Sequence, residues 1–216
     1  VVFSGSTASL RLTHLLNAST RLRWHAATQH LRSDDRVVFP FGCSAENTFD
    51  RYCIDGSFNL YDYRSDHERR HSDAMDTSLQ TRLQHNGVTH KLSAGVLVSR
   101  YRSVLPPQAF NYAGVGSIDG MSAVPAAAEP LLGGSAFRER SVEWYLRDRI
   151  LFDAQWSLWA GLRHTTLLRE TRRSFTTPWL ALAWQATPHT MLYASAGQGV
   201  ESVSVPTLPA FRNANR

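Results

Sequence analysis

The chain has 216 residues, of which 43% are hydrophobic and 19% are charged, and this composition excludes a disordered segment. The mean hydropathy is −0.29, and no apolar run approaches the ~18 residues of a membrane-spanning helix, so a helical membrane protein is excluded as well. The net charge of +5 comes from arginines dispersed along the chain. This dispersal argues against a nucleic-acid partner and leaves an anionic partner, such as lipopolysaccharide or an anionic chelate.

Along much of the chain, hydrophobic residues recur at every second position, which is the period of a β-strand. Between Val88 and Val98, one face is mostly valine, leucine and alanine, and the other is mostly threonine, lysine and serine. Such segments run for ten or more residues, the length of a tilted membrane-crossing strand, whereas typical globular strands have ~5–6. We predict eight strands, the third breaking near Ser65 and Asp66, at about 6–16, 20–33, 57–85, 88–102, 138–151, 155–170, 176–186 and 190–202.

The connections between these strands alternate in length. Tight turns are expected near residues 17–19, 86–87, 153–154 and 188–189, and Asn86-Gly87 is a strong hairpin signal. Long connections fall at about 34–56 and 103–137. Short turns at one end and long loops at the other are typical of outer-membrane β-barrels, so the long loops are predicted to be extracellular. A soluble all-β fold is the alternative, although its loops are not sorted by end.

The two cysteines lie in the first long connection. Cys43 and Cys53 sit among proline, glycine and asparagine, a loop composition. Their proximity predicts a local disulfide formed in an oxidising compartment, worth about 2–3 kcal/mol. A pair of free thiols is the alternative, and a metal site is disfavoured because no neighbouring His or Cys completes it.

The segment from His67 to His71 matches the H-E-x-x-H pattern of zinc proteases. That chemistry needs a helix, in which four residues rise only about 6 Å and both imidazoles reach one metal. On a strand the two histidines would lie about 13 Å apart, and the flanking residues alternate as in a strand. A zinc protease is therefore the least favoured hypothesis, and the chain is predicted to hold no metal and to be no enzyme.

Several segments resemble the barrel of TonB-dependent siderophore receptors. The most specific stretch combines Thr187-Pro188, a Leu-Tyr-Ala-Ser strand at 192–195, Gly-Gln-Gly at 197–199 and Val205-Pro206. The other similar segments are 60–65 with 68–70, 87–92 with 94–96, and 156–158 with 160–163. Their order and spacing carry the resemblance, which covers roughly residues 57–215.

The resemblance implies an all-β fold, namely an antiparallel transmembrane β-barrel segment that supplies about 8 of about 22 strands, with the plug domain absent. Val1 is not followed by a signal-like segment and Arg216 does not end a final apolar strand, so both ends are expected to be cut. The implied function is uptake of a ferric siderophore across the outer membrane of a Gram-negative bacterium, energised by TonB through the missing plug. A porin-like or adhesin-like barrel without TonB coupling is the alternative.

Aromatic and arginine residues near the predicted extracellular mouth are the candidate ligand contacts, because they suit a flat, anionic chelate through stacking and charge-assisted hydrogen bonds. These candidates are Phe39, Phe41, Tyr101, Arg102, Phe110 and Tyr112. The alternative is that they pack the loops together or face lipopolysaccharide. The expected partners are the ferric siderophore as transported ligand, TonB, and outer-membrane lipid and lipopolysaccharide, with no covalently bound cofactor and no nucleic acid.

Overall fold

A computed structural model describes residues 1–120 and 133–200 of the chain. They form one antiparallel sheet of nine strands, which confirms the all-β prediction. The strands are β1 (Val2–Leu15), β2 (Thr20–Pro40), β3 (Ser57–His85), β4 (Val88–Leu105), β5 (Ala109–Ser117), β6 (Ser135–Leu151), β7 (Trp156–Leu168), β8 (Arg172–Thr187) and β9 (Thr190–Gly197). No helix within these two ranges has the length and apolarity needed to cross a membrane.

Strands that follow each other along the chain pair in the sheet, except that β4 pairs with β6 and β5 pairs with β3. Residues 57–64 of β3 face β5, and residues 69–85 face β4. Because β4 and β5 are both antiparallel to β3, they run in the same direction. Together they form one line of strand beside β3, interrupted at Pro106 and Pro107, which have no N–H to donate. Residues 35–40 of β2, 57–64 of β3 and 109–117 of β5 thus extend beyond β6, and we call this three-stranded part the projection.

The two long connections contain more strand than the sequence predicted. The predicted loop 34–56 is strand as far as Pro40, and the predicted loop 103–137 contains all of β5, so the sheet has nine strands and not eight. The strand period of two is hard to see in the sequence of β5, because Gly114 and Gly116 have no side chains to show the alternation. Ala113 also interrupts the period, since it is an extra residue beside Tyr112 in the register. The eighth predicted strand, 190–202, ends at Gly197, and its residues 201 and 202 lie outside the described part of the chain.

The predicted break in the third strand is wrong, because β3 continues from Ser57 to His85 through a β-bulge. Ser65 pairs with Asp35 and Glu68 pairs with Ser33, so two residues of β3 face the single residue Asp34. His67 has φ 62°, and its N–H donates to Asp34 Oδ1 at 2.6 Å. The carboxylate thereby satisfies a backbone donor that the bulge removes from the ladder.

The sheet has two faces of opposite chemistry. On the face that we call outer, side chains align across the strands into an apolar band, with rows such as Leu10, Ala26, Met75, Val98 and Val142, or Leu79, Ala94, Leu146, Leu162 and Pro178. The opposite, inner face carries polar residues at the same heights. Tyr145, for example, donates to Asp76 at 2.9 Å across Gly95.

The apolar band of the outer face is exposed and not packed against a second layer. Trp144 is 61% exposed, and Leu162 and Leu180 are each 48% exposed. The band is about six rows high, which corresponds to roughly 25 Å for tilted strands. An exposed apolar face of this height matches the lipid-contacting belt of an outer-membrane barrel, and this explains why a chain of this size buries so few large side chains.

Short turns lie at one end of the sheet, the turn end, and the longer connections lie at the other, the loop end. At the turn end, Asn17 Oδ1 accepts from Thr20 N at 2.8 Å, Asp153 Oδ1 accepts from Trp156 N at 2.7 Å, and Asn86 and Gly87 both have positive φ. Asn-Gly adopts that conformation readily, and it is the one a two-residue hairpin requires. Trp156 and Trp184 stack there at a ring distance of 5.5 Å, in the manner of an interfacial aromatic girdle.

Candidate functional site

Four aromatic residues of the projection and its adjoining loop gather around Tyr61, and we call these five residues together the aromatic cluster. Phe39 and Tyr112 are the direct cross-strand neighbours of Tyr61, with ring centroids 6.2 and 5.8 Å away. Phe110 stacks on Tyr61 at 5.3 Å with an interplanar angle of 18°. Phe41 meets Tyr61 edge-on at 5.9 Å. Rings at these separations attract one another beyond simple area burial.

The aromatic cluster lies on the inner face. Glu68 lies on the inner face. Ser65 and Tyr61, on the other side of the bulge, lie on the same face because the extra residue shifts the alternation along β3 by one residue. The cluster also keeps free ring surface, since Tyr112 is 55% exposed and Phe41 is 48% exposed. It is therefore an accessible aromatic surface on the inner side of the loop end, and not a closed core.

A buried carboxylate lies just below the aromatic cluster. Glu68, which is only 7% exposed, accepts hydrogen bonds from Ser65 Oγ at 2.5 Å, Arg70 NH2 at 2.8 Å and Ser33 Oγ at 3.0 Å. Gln108 Nε2 donates to Ser65 Oγ at 3.2 Å. This network satisfies the buried charge and ties the inner face of β2 and β3 to the break between β4 and β5.

A second inner-face group lies on the far side of β4. Tyr101 approaches Phe137 with a ring distance of 6.0 Å, and Arg169 lies over the Phe137 ring at 5.2 Å. Arg169 Nε also donates to Glu139 Oε2 at 2.6 Å. An arginine fixed over an aromatic ring presents both charge and a flat surface, which suits a planar anionic ligand.

The structure divides the predicted site residues between the two faces of the sheet. The structure places Phe39, Phe41, Phe110 and Tyr112 together and puts Tyr101 on the same inner face. Arg102 lies on the outer face, directly opposite His71 and Arg138, so it does not face the lumen side. Adjacent strand residues point to opposite faces, and Tyr101 and Arg102 cannot both line one wall.

Tyr61, the centre of the aromatic cluster, was missed as a site residue. In the sequence Tyr61 stands only as part of a predicted strand, although its alternation with Tyr63 beside a long connection is a usable signal. What the alternation could not show is that β5 pairs beside it and brings Phe110 and Tyr112 into contact.

The connection between β2 and β3 is held by a disulfide between Cys43 and Cys53, whose Cα atoms are 5.2 Å apart. The loop contains one 3₁₀ turn, Ser44–Glu46. Within the described residues, Cys43, Glu46 and Cys53 form the only group spaced to hold a metal, and the disulfide removes both thiolates from that role. Near the loop's end, the hydroxyl hydrogen bond from Ser57 holds the pKa of Asp55 below its usual range.

The H-E-x-x-H segment lies within β3 and not on a helix. His67 contacts Asp34 at 3.3 Å at the bulge, while His71 contacts His30 and Asp73 at 2.8 and 2.7 Å. The two histidines therefore have separate neighbours and form no common metal group among the described residues. This arrangement removes the geometric basis of the zinc-protease hypothesis.

The sheet has long antiparallel strands and is apolar on one face and polar on the other. It has short turns at one end and long connections at the other. These features together define a segment of an outer-membrane-type β-barrel. The sequence matches the family described as TonB dependent receptor-like, beta-barrel over residues 3–214, and the chain belongs to that family. No curated protein sequence matches the chain.

Solved structures with the same fold include several receptors. The ferric preacinetobactin receptor BauA of Acinetobacter baumannii has a TM-score of 0.69 and 13% identity, covering 89% of this chain and 30% of that one. The ferric-catecholate import receptor Fiu of E. coli K12 gives 0.66 and 12%, covering 89% and 32%. The ferripyoverdine receptor of the outer membrane of Pseudomonas aeruginosa gives 0.65 and 17%, covering 88% and 26%. The chain thus spans about a third or less of the length of these receptors.

Proposed function

We propose that this chain is part of the barrel wall of an outer-membrane receptor that imports a ferric siderophore, energised through TonB. The observation that carries the proposal is the exposed aromatic cluster on the inner face of the loop end, within a family of receptor barrels. The barrel contributes the ligand-contacting wall, and the coupling to TonB is supplied by a plug domain that these residues do not form.

The chemistry of the cluster favours a flat chelate with conjugated groups. Phe39, Tyr61 and Phe110 offer adjacent ring faces for stacking, and Tyr112 adds a hydroxyl that can donate to a chelate oxygen. Arg169, fixed over Phe137, provides charge further along the same face. Rings and a fixed guanidinium together suit an anionic aromatic complex better than a neutral sugar.

Ligand contact is tested by truncating the cluster in the intact receptor. Tyr61→Ala and Phe110→Ala are each expected to weaken binding of the ferric siderophore at least about fivefold, because buried aromatic contacts dominate ligand-binding energies. Phe49→Ala is the matched control, since Phe49 is an aromatic residue of the connection between β2 and β3, is 59% exposed and lies outside the cluster. Fluorescence-quenching titration and radioactive iron uptake measure the effect; equal losses in all three variants would contradict a specific site.

TonB coupling is tested separately by uptake in cells with and without TonB. Iron uptake that requires TonB supports an energised receptor. Uptake that persists at the same rate without TonB would favour the porin-like barrel instead, because passive diffusion through a pore needs no energy coupling.

A further inference from the structure

Six arginines on the outer face form a compact group just above the apolar band, and we call them the arginine patch. They occur as three directly opposed cross-strand pairs on β2, β3, β4 and β6, and all six are exposed. The pairs are Arg32 with Arg69, Arg100 with Arg140, and Arg102 with Arg138. Like charges directly opposite each other destabilise a sheet, so three such pairs in adjoining rows call for an anionic partner.

The rest of the described chain does not supply that partner. None of the six guanidinium groups makes a hydrogen bond or an ion pair with a residue in the ranges 1–120 and 133–200. The nearest carboxylate in these rows, Asp73, is opposite Arg100 in the register but is engaged by Thr28 Oγ1 at 2.8 Å and His71 at 2.7 Å. The arginine patch therefore keeps a net positive charge, since its three rows set six arginines against the single carboxylate of Asp73.

Two adjoining grooves give the surface an amphipathic shape. The upper groove, with a volume of about 930 Å³, is lined by cationic and imidazole side chains that include Arg32, Arg69, Arg102, His30 and His71. The lower groove, with a volume of about 580 Å³, has small and apolar side chains that include Ala8, Leu10, Ala26, Met75 and Val98, and it reaches Arg100. Polar and apolar grooves thus follow one another along the outer face.

We propose that the arginine patch and the lower groove together bind one lipopolysaccharide molecule of the surrounding leaflet. The phosphates would lie in the upper groove, where the guanidinium groups can form bidentate charge-assisted hydrogen bonds. An acyl chain would lie along the small side chains of the lower groove, which continues the apolar band. A second copy of the chain fits poorly, because a symmetric contact through this surface sets arginine against arginine. The inference rests on the proposed function only in placing the chain in an outer membrane.

The experiment compares the intact receptor with a triple variant, Arg100→Gln, Arg102→Gln and Arg138→Gln. Lipopolysaccharide retained after purification in mild detergent is quantified by mass spectrometry, and rebinding is titrated with phosphorylated and enzymatically dephosphorylated lipopolysaccharide. We expect the triple variant to bind phosphorylated lipopolysaccharide at least about tenfold more weakly, and the unchanged receptor to lose a similar factor with the dephosphorylated form. Binding should also weaken as salt increases.

A matched control removes three cations from the inner face of β3 and β6, nearer the turn end, with the substitutions Arg82→Gln, Arg147→Gln and Arg149→Gln. This control should retain lipopolysaccharide, because these residues lie on the opposite face. Equal loss in both triple variants, undiminished binding in the outer variant, or equal affinity for phosphatidylglycerol vesicles would overturn the proposal. Competition by millimolar inorganic phosphate alone would also overturn it, since a lipid site needs the acyl contact.

Two further measurements keep the test interpretable. If the triple variant fails to fold, as judged by heat-dependent mobility in electrophoresis, the single variant Arg102→Gln replaces it, with a proportionally smaller loss expected. Ferric siderophore binding is measured on the same samples. Loss of lipopolysaccharide with siderophore binding intact supports the arginine patch, whereas failure of siderophore binding in the unchanged receptor counts against the proposed function and leaves the lipid result valid.

Discussion

Gly95 is the residue on which one inner-face contact depends. A side chain at this position would place its first carbon 2.5 Å from Tyr145 Oη and 2.7 Å from the Thr77 carbonyl oxygen. With hydrogen there instead, the Tyr145 ring lies across β4 and its hydroxyl donates to Asp76 on β3 at 2.9 Å. The glycine is used for close approach and not for an unusual backbone conformation.

We predict that Gly95→Ala destabilises the barrel by about 1–3 kcal/mol, because the methyl group displaces Tyr145 and crowds the neighbouring backbone. Urea unfolding of the intact receptor in detergent measures the change. In a Tyr145→Ala background the same substitution should cost less, since one of the two clashes is gone. An identical cost in both backgrounds would show that Tyr145 plays no part.

At the residue scale, composition and position in the sequence were sufficient to group four of the candidate residues. Phe39, Phe41, Phe110 and Tyr112 stood out as aromatics in the predicted long connections. The sequence did not show that Arg102 lies on the other face, because soft strand boundaries do not give the face of an individual residue at a strand end. A one-residue error in register moves a side chain from one face of the sheet to the other.

At the element scale, the β-bulge of β3 decides which face the projection presents. Asp66 and His67 together face Asp34, so the alternation resumes one residue later than it would in a regular strand. If the same sequence paired regularly, with Asp66 opposite Asp35, Tyr61 and Tyr63 would lie on the outer face while residues 69–85 kept their places. The bulge thus allows β3 to place apolar residues on the outer face below it and the aromatic cluster on the inner face above it.

We predict that deleting Asp66 removes the β-bulge and leaves ferric siderophore binding within about twofold of that of the unchanged receptor. After the deletion His67 alone faces Asp34 and Ser65 still pairs with Asp35, so Tyr61 stays on the inner face, as the period of two requires. Deleting both Asp66 and His67 is the contrasting variant, because it shifts the alternation by one residue, turns Tyr61 outward and should abolish binding. Labelling of a cysteine introduced at position 61 reports the face, and a binding titration reports the affinity.

At the scale of the whole molecule, the described sheet is open. Strands β1 and β9 end the strand order, and no pairing between them occurs in the described residues. Each carries a row of backbone groups without a partner strand, which is costly in lipid and promotes association in water. The receptors of the same fold are longer chains, of which this chain covers about a third or less.

We predict that this 216-residue chain, expressed alone, does not form a stable monomeric barrel. Its refolded form in detergent should melt over a broad range and elute as mixed oligomers, because the edges of the sheet pair between molecules. Circular dichroism during heating and light scattering measure this behaviour. A sharp, cooperative melt of a monomer would contradict the prediction and indicate closure of β1 on β9.

The sequence alone determined the fold class, the strands below the loop end and the placement of the tight turns. These features follow from local rules, because the period of two and turn signals such as Asn86-Gly87 act within a few residues. The tertiary structure alone decided that β5 joins β3, that Tyr61 centres the aromatic cluster and that Arg102 belongs to the outer arginine patch. Those outcomes depend on pairing between strands distant in sequence and on the bulge at Asp66 and His67, and no local pattern encodes such a register.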